Sequence, residues 1–141
     1  MQAYIHMRME CGFMNNIILV YDSKTGNVQR FIDKVKNELN VETIKIHKDL
    51  IIQKPFILIT YTTGFGQVPE TTRHFLMKNY QYMRAVASSG NMNWGMKFAV
   101  AADEISKKYS VSIILKFELS GTQKDVQRFI EEVKNIDNTC S

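Results

Sequence analysis

The sequence predicts an α/β fold: one domain with a doubly wound, five-stranded parallel sheet in the order 2-1-3-4-5, its connection between strands 2 and 3 shortened. The prediction rests on three features. Short apolar runs alternate with one-sided helical stripes along the 141 residues. Three of those runs lead directly into polar, glycine-bearing loops: Asp22-Ser23-Lys24-Thr25-Gly26-Asn27 after residues 17–21, Thr60-Tyr61-Thr62-Thr63-Gly64-Phe65-Gly66 after 56–59, and Ser88-Ser89-Gly90-Asn91-Met92-Asn93-Trp94-Gly95 after 85–87. Finally, only residues 47–54 separate the second run from the third, and eight extended residues reach about 27 Å at ~3.4 Å each, enough to return along a strand of ~17 Å but not to build a full helix.

Residues 17–21 are continuously apolar, as in a strand covered on both faces. Val28, Phe31, Ile32, Val35 and Leu39 then recur on one side of a helix. Residues 41–46 alternate and predict an edge strand. Residues 56–61 form the third strand, with Pro55 at its start, where no ladder donor is lost. Pro69 suits the first turn of a helix running to about Asn79. A short strand at 84–87 precedes a helical stripe of Trp94, Phe98, Ala101, Ala102 and Ile105. Residues 111–117 make the fifth strand, and Thr122 caps a last helix with Asp125 in its first turn and Val126, Phe129, Ile130 and Val133 facing inward. The domain is expected over residues 16–137. Residues 1–15 show no period and are expected outside the core, as a tail, an added edge strand or translation from an upstream start, with Met14 as the usual beginning.

Composition narrows the function classes. No apolar run approaches the ~20 residues that span a bilayer, and the N-terminus lacks a secretory h-region. Cys11 and Cys140 lie too far apart in sequence to suggest a disulfide framework, which fits a cytoplasmic home, and His6, His47 and His74 are scattered, so no metal site is expected. The formal charge of +4 invites a nucleic-acid partner, but the longest basic run is Lys107-Lys108 and the remaining cations are dispersed.

In an open parallel sheet all strand C-termini share one edge, where ligands bind, so the three loops should converge there. The first opens onto a helix. Its amides, with Ser23, Thr25 and Asn27, suit a phosphate monoester, although neither the G-x-x-x-x-G-K-[ST] nor the G-x-G-x-x-G spacing is present. The second offers Gly64 and Gly66 around Phe65, and the third offers Trp94 among Asn91, Asn93 and two glycines, as walls and rim for a planar heterocycle. Together they predict a phosphate-bearing aromatic cofactor. The alternative of plain turns remains open for each loop taken alone. A phosphoacceptor domain of the same topology needs an aspartate where this chain has Thr60 and Tyr61, and no G-x-S-x-G elbow is present.

The Ser23-Lys24-Thr25-Gly26-Asn27 run resembles the phosphate loop of flavodoxins, which bind flavin mononucleotide (FMN). With the 22–31, 60–66, 89–95 and 116–122 motifs taken together, the chain from about Asn16 to Val133 resembles the NrdI family, the flavodoxin-like accessory proteins of class Ib ribonucleotide reductase. The resemblance implies a flavodoxin-like fold, bound FMN, and a dimanganese radical subunit as partner. Reduced flavin, reloaded by an unidentified reductant, would react with molecular oxygen to supply the oxidant for tyrosyl-radical assembly, in support of the reductase rather than as a stand-alone enzyme.

By the same resemblance Ser23, Lys24, Thr25, Gly26, Asn27 and Val28 hold the phosphate. Tyr61, Thr62, Thr63, Gly64, Phe65 and Gly66 border the ring, and Ser89, Gly90, Asn91, Asn93, Trp94 and Gly95 close its other side. Ser88 stands where the family more usually has alanine. The loops hold one carboxylate, Asp22, with Glu70 just beyond, so an anionic reduced flavin meets little repulsion and its two one-electron potentials should lie close together. A general electron-carrying flavodoxin and a flavin-free interaction module are the competing readings.

Overall fold

The structure, a computed structural model, describes residues 16–64 and 66–139. The expectations for residues 1–15, Phe65 and Cys140 lie outside the described residues. Five strands, β1 (Ile18–Tyr21), β2 (Thr43–Lys45), β3 (Phe56–Tyr61), β4 (Met83–Gly90) and β5 (Ser112–Glu118), form one sheet in the order β2-β1-β3-β4-β5, with every neighbouring pair parallel. Among the described residues four α-helices flank it: α1 (Asn27–Lys36), α2 (Glu70–Asn79), α3 (Ala101–Tyr109) and α4 (Gln123–Thr139). The predicted order stands.

Strand alternation divides the core. Ile17, Leu19, Tyr21, Ile57, Ile59 and Phe117 face α1 and α4, with Phe31 stacked on Phe117 at 4.1 Å between centroids and edge-on to Phe129 at 5.2 Å. Ile18, Val20, Phe56, Leu58 and Val86 face α2 and α3, joined there by Phe75, Leu76, Ala102 and Ile105. Burial on both faces is why β1 and β3 are continuous apolar runs.

The short crossover carries no helix. Leu50 N–H reaches His47 O at 3.1 Å, a single turn, and buried Asn79 pins the rest by accepting Ile52 N–H at 2.7 Å and donating to Leu50 O at 3.1 Å. Ile52, 5% exposed, plugs the sheet face in place of a helix.

Two boundaries differ from expectation. β4 continues through Ser88, Ser89 and Gly90, because β5 supplies ladder partners out to Glu118. The helix expected from Trp94 begins only at Ala101. A 3-10 segment, Met92–Lys97, precedes it, and Gly95 (φ 58°, ψ −120°) and Ala99 (φ 48°) break the helical path between. The apolar spacing from Trp94 to Ala101 is therefore not a helical stripe. Pro69 lies one residue before α2 rather than inside it. Thr122 does cap α4: its Oγ accepts Asp125 N–H at 3.1 Å while Asp125 accepts Thr122 N–H at 2.9 Å.

Candidate functional site

The C-terminal ends of β1, β3 and β4 bring the three loops around one cavity of about 300 Å³, at the low end of the ~300–1,000 Å³ range of small-molecule sites. Ser23, Lys24, Thr25, Asn27 and Val28 line one side. Tyr61, Thr62, Thr63, Gly64 and Gly66 line the second, and Ser89, Gly90, Asn91 and Trp94 the third. Gly26, Asn93 and Gly95 are in the same loops but not on the cavity wall.

The first loop is braced from within. Gly26 adopts φ 97°, a left-handed turn that a side chain would strain, and its carbonyl accepts the first helical bond from Arg30 N–H at 2.9 Å. Ser23 Oγ accepts Gln29 N–H at 3.1 Å. The amides of Asn27 and Val28 precede both bonds and have no acceptor among the described residues, so the start of α1 keeps free donors at the cavity. Asn27 Oδ1 accepts from Arg30 Nη2 at 2.7 Å and Ser120 Oγ at 2.8 Å, and Arg30 Nε donates to Ser120 Oγ at 3.0 Å. This clamp ties the loop to the β5–α4 turn.

The second loop is a tight hairpin. Thr63 and Gln67 exchange both backbone bonds, at 2.8 and 2.9 Å. Thr62 N–H donates to Ser89 O at 3.1 Å, and Thr62 Oγ1 accepts Ala101 N–H at 3.3 Å, which joins this loop to the start of α3. Gly64 has φ 50°, yet a Cβ there would meet only Gln67 Oε1, at 3.8 Å, so its glycine answers to backbone conformation and not to crowding. Gly90 is the reverse case. A Cβ would sit 2.4 Å from Ala99 N and 2.8 Å from Ala99 Cα, so glycine is required there by main-chain packing. Ser88 has a use where an alanine would have none: its buried hydroxyl donates to Ala99 O at 2.7 Å and accepts Ala102 N–H at 3.2 Å.

Electrostatically the cavity wall is one-sided. Among the described residues it carries two lysines, Lys24 and Lys97, and no carboxylate. Asp22, the acid that the sequence places in the first loop, is buried behind the wall, its Oδ2 accepting from Thr71 and, at 2.7 Å, Thr72 hydroxyls. Burial first, and then the Asp22 charge, push the Tyr61 phenol above its ordinary value of 10.0 against an opposing hydrogen bond with Thr71, which keeps it protonated near neutral pH.

Sequence reasoning missed three lining residues. Leu119, held at φ 52° by Leu119 N–H to Gly90 O at 2.9 Å and by Ser89 Oγ to its own carbonyl at 2.6 Å, belongs to the 116–122 motif, which could have found it. Lys97 and Ala99 enter only because the chain kinks before α3, and no sequence signal marks them.

A larger cavity, about 730 Å³, opens between α2 and the turn after β2, with His47, Lys48, His74 and Lys78 around Ile46 and Phe75. It is on the side where the crossover lacks a helix. Thr71, in the first turn of α2, and the Asp22 carboxylate also line it, but it has no glycine loop, and a carboxylate on the wall suits an anion less than the acid-free wall of the smaller cavity. Among the described residues no cluster of metal-ligating side chains occurs, and no helix is long and apolar enough to cross a membrane.

The family model of NrdI flavodoxin-like proteins matches residues 19–131. A protein NrdI of Bacillus licheniformis is 53% identical over 122 residues, covering 85% of this chain and 89% of that protein. The SPbeta prophage-derived protein NrdI of Bacillus subtilis (strain 168) is 50% identical over 119 residues, covering 84% and 92%. A short-chain flavodoxin associated with a non-canonical PDU bacterial microcompartment superposes with a TM-score of 0.62 at 22% identity, over 89% of this chain and 99% of that one, a likeness of fold. The chain thus belongs to the NrdI family of flavodoxin-like proteins, whose cofactor is FMN.

Proposed function

We propose that this chain is the FMN-carrying accessory protein of a class Ib ribonucleotide reductase, acting in the cytoplasm through residues 16–137 to serve the dimanganese radical subunit. When bound, FMN supplies the electrons that reduce molecular oxygen to the oxidant from which the partner's tyrosyl radical is assembled, and an unidentified reductant restores them. The observation that carries this reading is a cavity with free helix amides at one end, an exposed tryptophan at another, and lysines but no carboxylate on its wall.

The residues present fit FMN. A dianionic phosphate monoester is matched by the Asn27 and Val28 amides, the Thr25 hydroxyl and the Lys24 ammonium, with Ser23 and Gly26 shaping the turn. Tyr61, Thr62, Thr63, Gly64 and Gly66 would border the ring. From the third loop Ser89, Gly90, Asn91 and Trp94 would close the opposite side, with Asn93 and Gly95 shaping the turn off the wall. Gly64 has the backbone freedom to present either an N–H or a C=O to a ring nitrogen that changes from acceptor to donor on reduction, and Gly64→Val is expected to weaken reduced-flavin binding more than oxidised. A wall without acids leaves an anionic ring unopposed, which suits two-electron delivery to oxygen over one-electron relay.

The first test is the absorption spectrum of the purified protein after incubation with FMN, which should show a bound flavin. The second is aerobic radical formation in a manganese-loaded radical subunit. Reduced protein should drive it, whereas a general electron carrier would accept electrons from a generic reductase and leave the subunit without its radical.

A further inference from the structure

We propose that Lys97 sets the site's preference for reduced over oxidised FMN, an inference that rests on the flavin reading above. Lys97 lines the cavity from the third loop, and its stem is laid across the second: a Cβ on Gly66 would come within 3.4 Å of both Lys97 Cβ and Cδ. Gly66 itself has φ 91° and stands against Val100 Cγ1, so the stem rests on backbone that has little room to shift. The lysine is thus held where the two ring-bordering loops meet, while Lys24, the other cation on the wall, belongs to the phosphate loop.

Among the described residues its charge has no ionic partner. Lys116 is paired with Asp103, Lys54 with Glu42, and Lys34 donates to the Ser120 and Gly121 carbonyls, but Lys97 forms no ion pair among the described residues. The carboxylate bonded to the third loop, Glu118, accepts Met92 N–H at 3.1 Å and is not on the cavity wall. Asp22 is buried behind the first loop and engaged by two threonines.

Two electrons and one proton convert the neutral oxidised ring to a ring bearing one negative charge. A cation at this position therefore interacts with one redox state and hardly with the other. Linkage then requires that this charge shift the ratio of affinities towards the reduced form. Exposure to solvent screens the effect, which sets its size at several-fold rather than thousand-fold.

The test measures dissociation constants of oxidised FMN and of dithionite-reduced FMN, without oxygen, for the wild type, Lys97→Gln and Lys97→Arg. In low salt, Lys97→Gln should weaken reduced FMN about fivefold to tenfold and oxidised FMN less than about twofold, while Lys97→Arg retains the wild-type ratio. Raising salt from about 20 mM to about 300 mM should shrink the wild-type ratio towards that of Lys97→Gln. Equal weakening of both states, or a ratio indifferent to salt, would overturn the assignment and leave the flavin reading standing. A folded wild type that takes up no FMN in either state would overturn both.

Discussion

The loop after β1, proposed to hold the phosphate, and the loop after β4 frame the same cavity and are built by opposite means. In the first, side chains are spent on holding the backbone: Ser23 caps Gln29, and Asn27, Arg30 and Ser120 close a ring of hydrogen bonds between 2.7 and 3.0 Å. In the second, the base is packed against main chain and the tip, bonded locally and to Glu118, lies in solvent. Gly90 is packed hard against Ala99 and Ser88 holds the entry to α3, but beyond them Met92, Trp94 and Met96 are exposed, and a Cβ at Gly95 would meet nothing within 4 Å. A phosphate has the same shape and charge in both redox states of a flavin, so a preorganised grip suits it. The ring changes its charge and hydrogen bonding, and a loop whose tip lies in solvent has room to adjust to it.

That contrast can be broken at its strongest point. Gly90→Ala drives a Cβ into main chain that cannot rotate away, and should cost about 3 kcal/mol or more of folding stability, read as the urea midpoint shift at unchanged slope. Arg30→Ala opens the clamp on the rigid loop while leaving the core intact. Affinity for FMN should fall about tenfold, as expected for losing a charge-assisted bond, with affinity for riboflavin, which lacks the phosphate, unchanged. A parallel loss for both ligands would place the clamp's effect outside the phosphate grip.

Smaller effects sharpen the comparison. Ser23→Ala removes the cap on Gln29 and should cost about 1 kcal/mol. Trp94→Ala, at a residue 46% exposed, should change the stability of FMN-free protein by less than about 0.5 kcal/mol yet weaken flavin binding, measured by fluorescence titration.

Asp137 supplies a control remote from both loops. It is on α4, where the Asn16 and Ile17 amides bond its carboxylate, and its Oδ1 has no partner among the described residues. Burial outweighs those bonds and raises its pKa above 3.8. The folded state therefore holds this proton more tightly than the unfolded chain. The resulting stabilisation is complete below about pH 3.8 and is lost as pH rises through the higher folded value. Asp137→Asn should flatten that part of the stability curve, checked by urea unfolding from pH 3 to 7, without altering the flavin affinity ratio.

How much was legible depends on how local each cause is. The order of elements, the missing crossover helix and the convergence of three loops follow from periodicity, chain length and topology, and the Ser23 to Val28 stretch is readable because its bonds span a few residues. The Trp94 stripe misled because apolar spacing at 94, 98, 101 and 102 mimics a helix, while the backbone turns at Gly95 and Ala99 to pass Gly90. Asp22 looked like a cavity acid because it adjoins Ser23 in sequence, but it is drawn behind the wall by Thr71 and Thr72, some fifty residues away.

The sequence by itself determined the parallel sheet and the edge at which a ligand can bind, since strand and helix periods, and the reach of eight residues, are properties of the chain alone. Only the tertiary structure decided which charges face the cavity. Lys97 enters it and Asp22 leaves it because packing against Gly66 and hydrogen bonding from α2 act between residues distant in sequence, and such contacts exist only once the chain has folded.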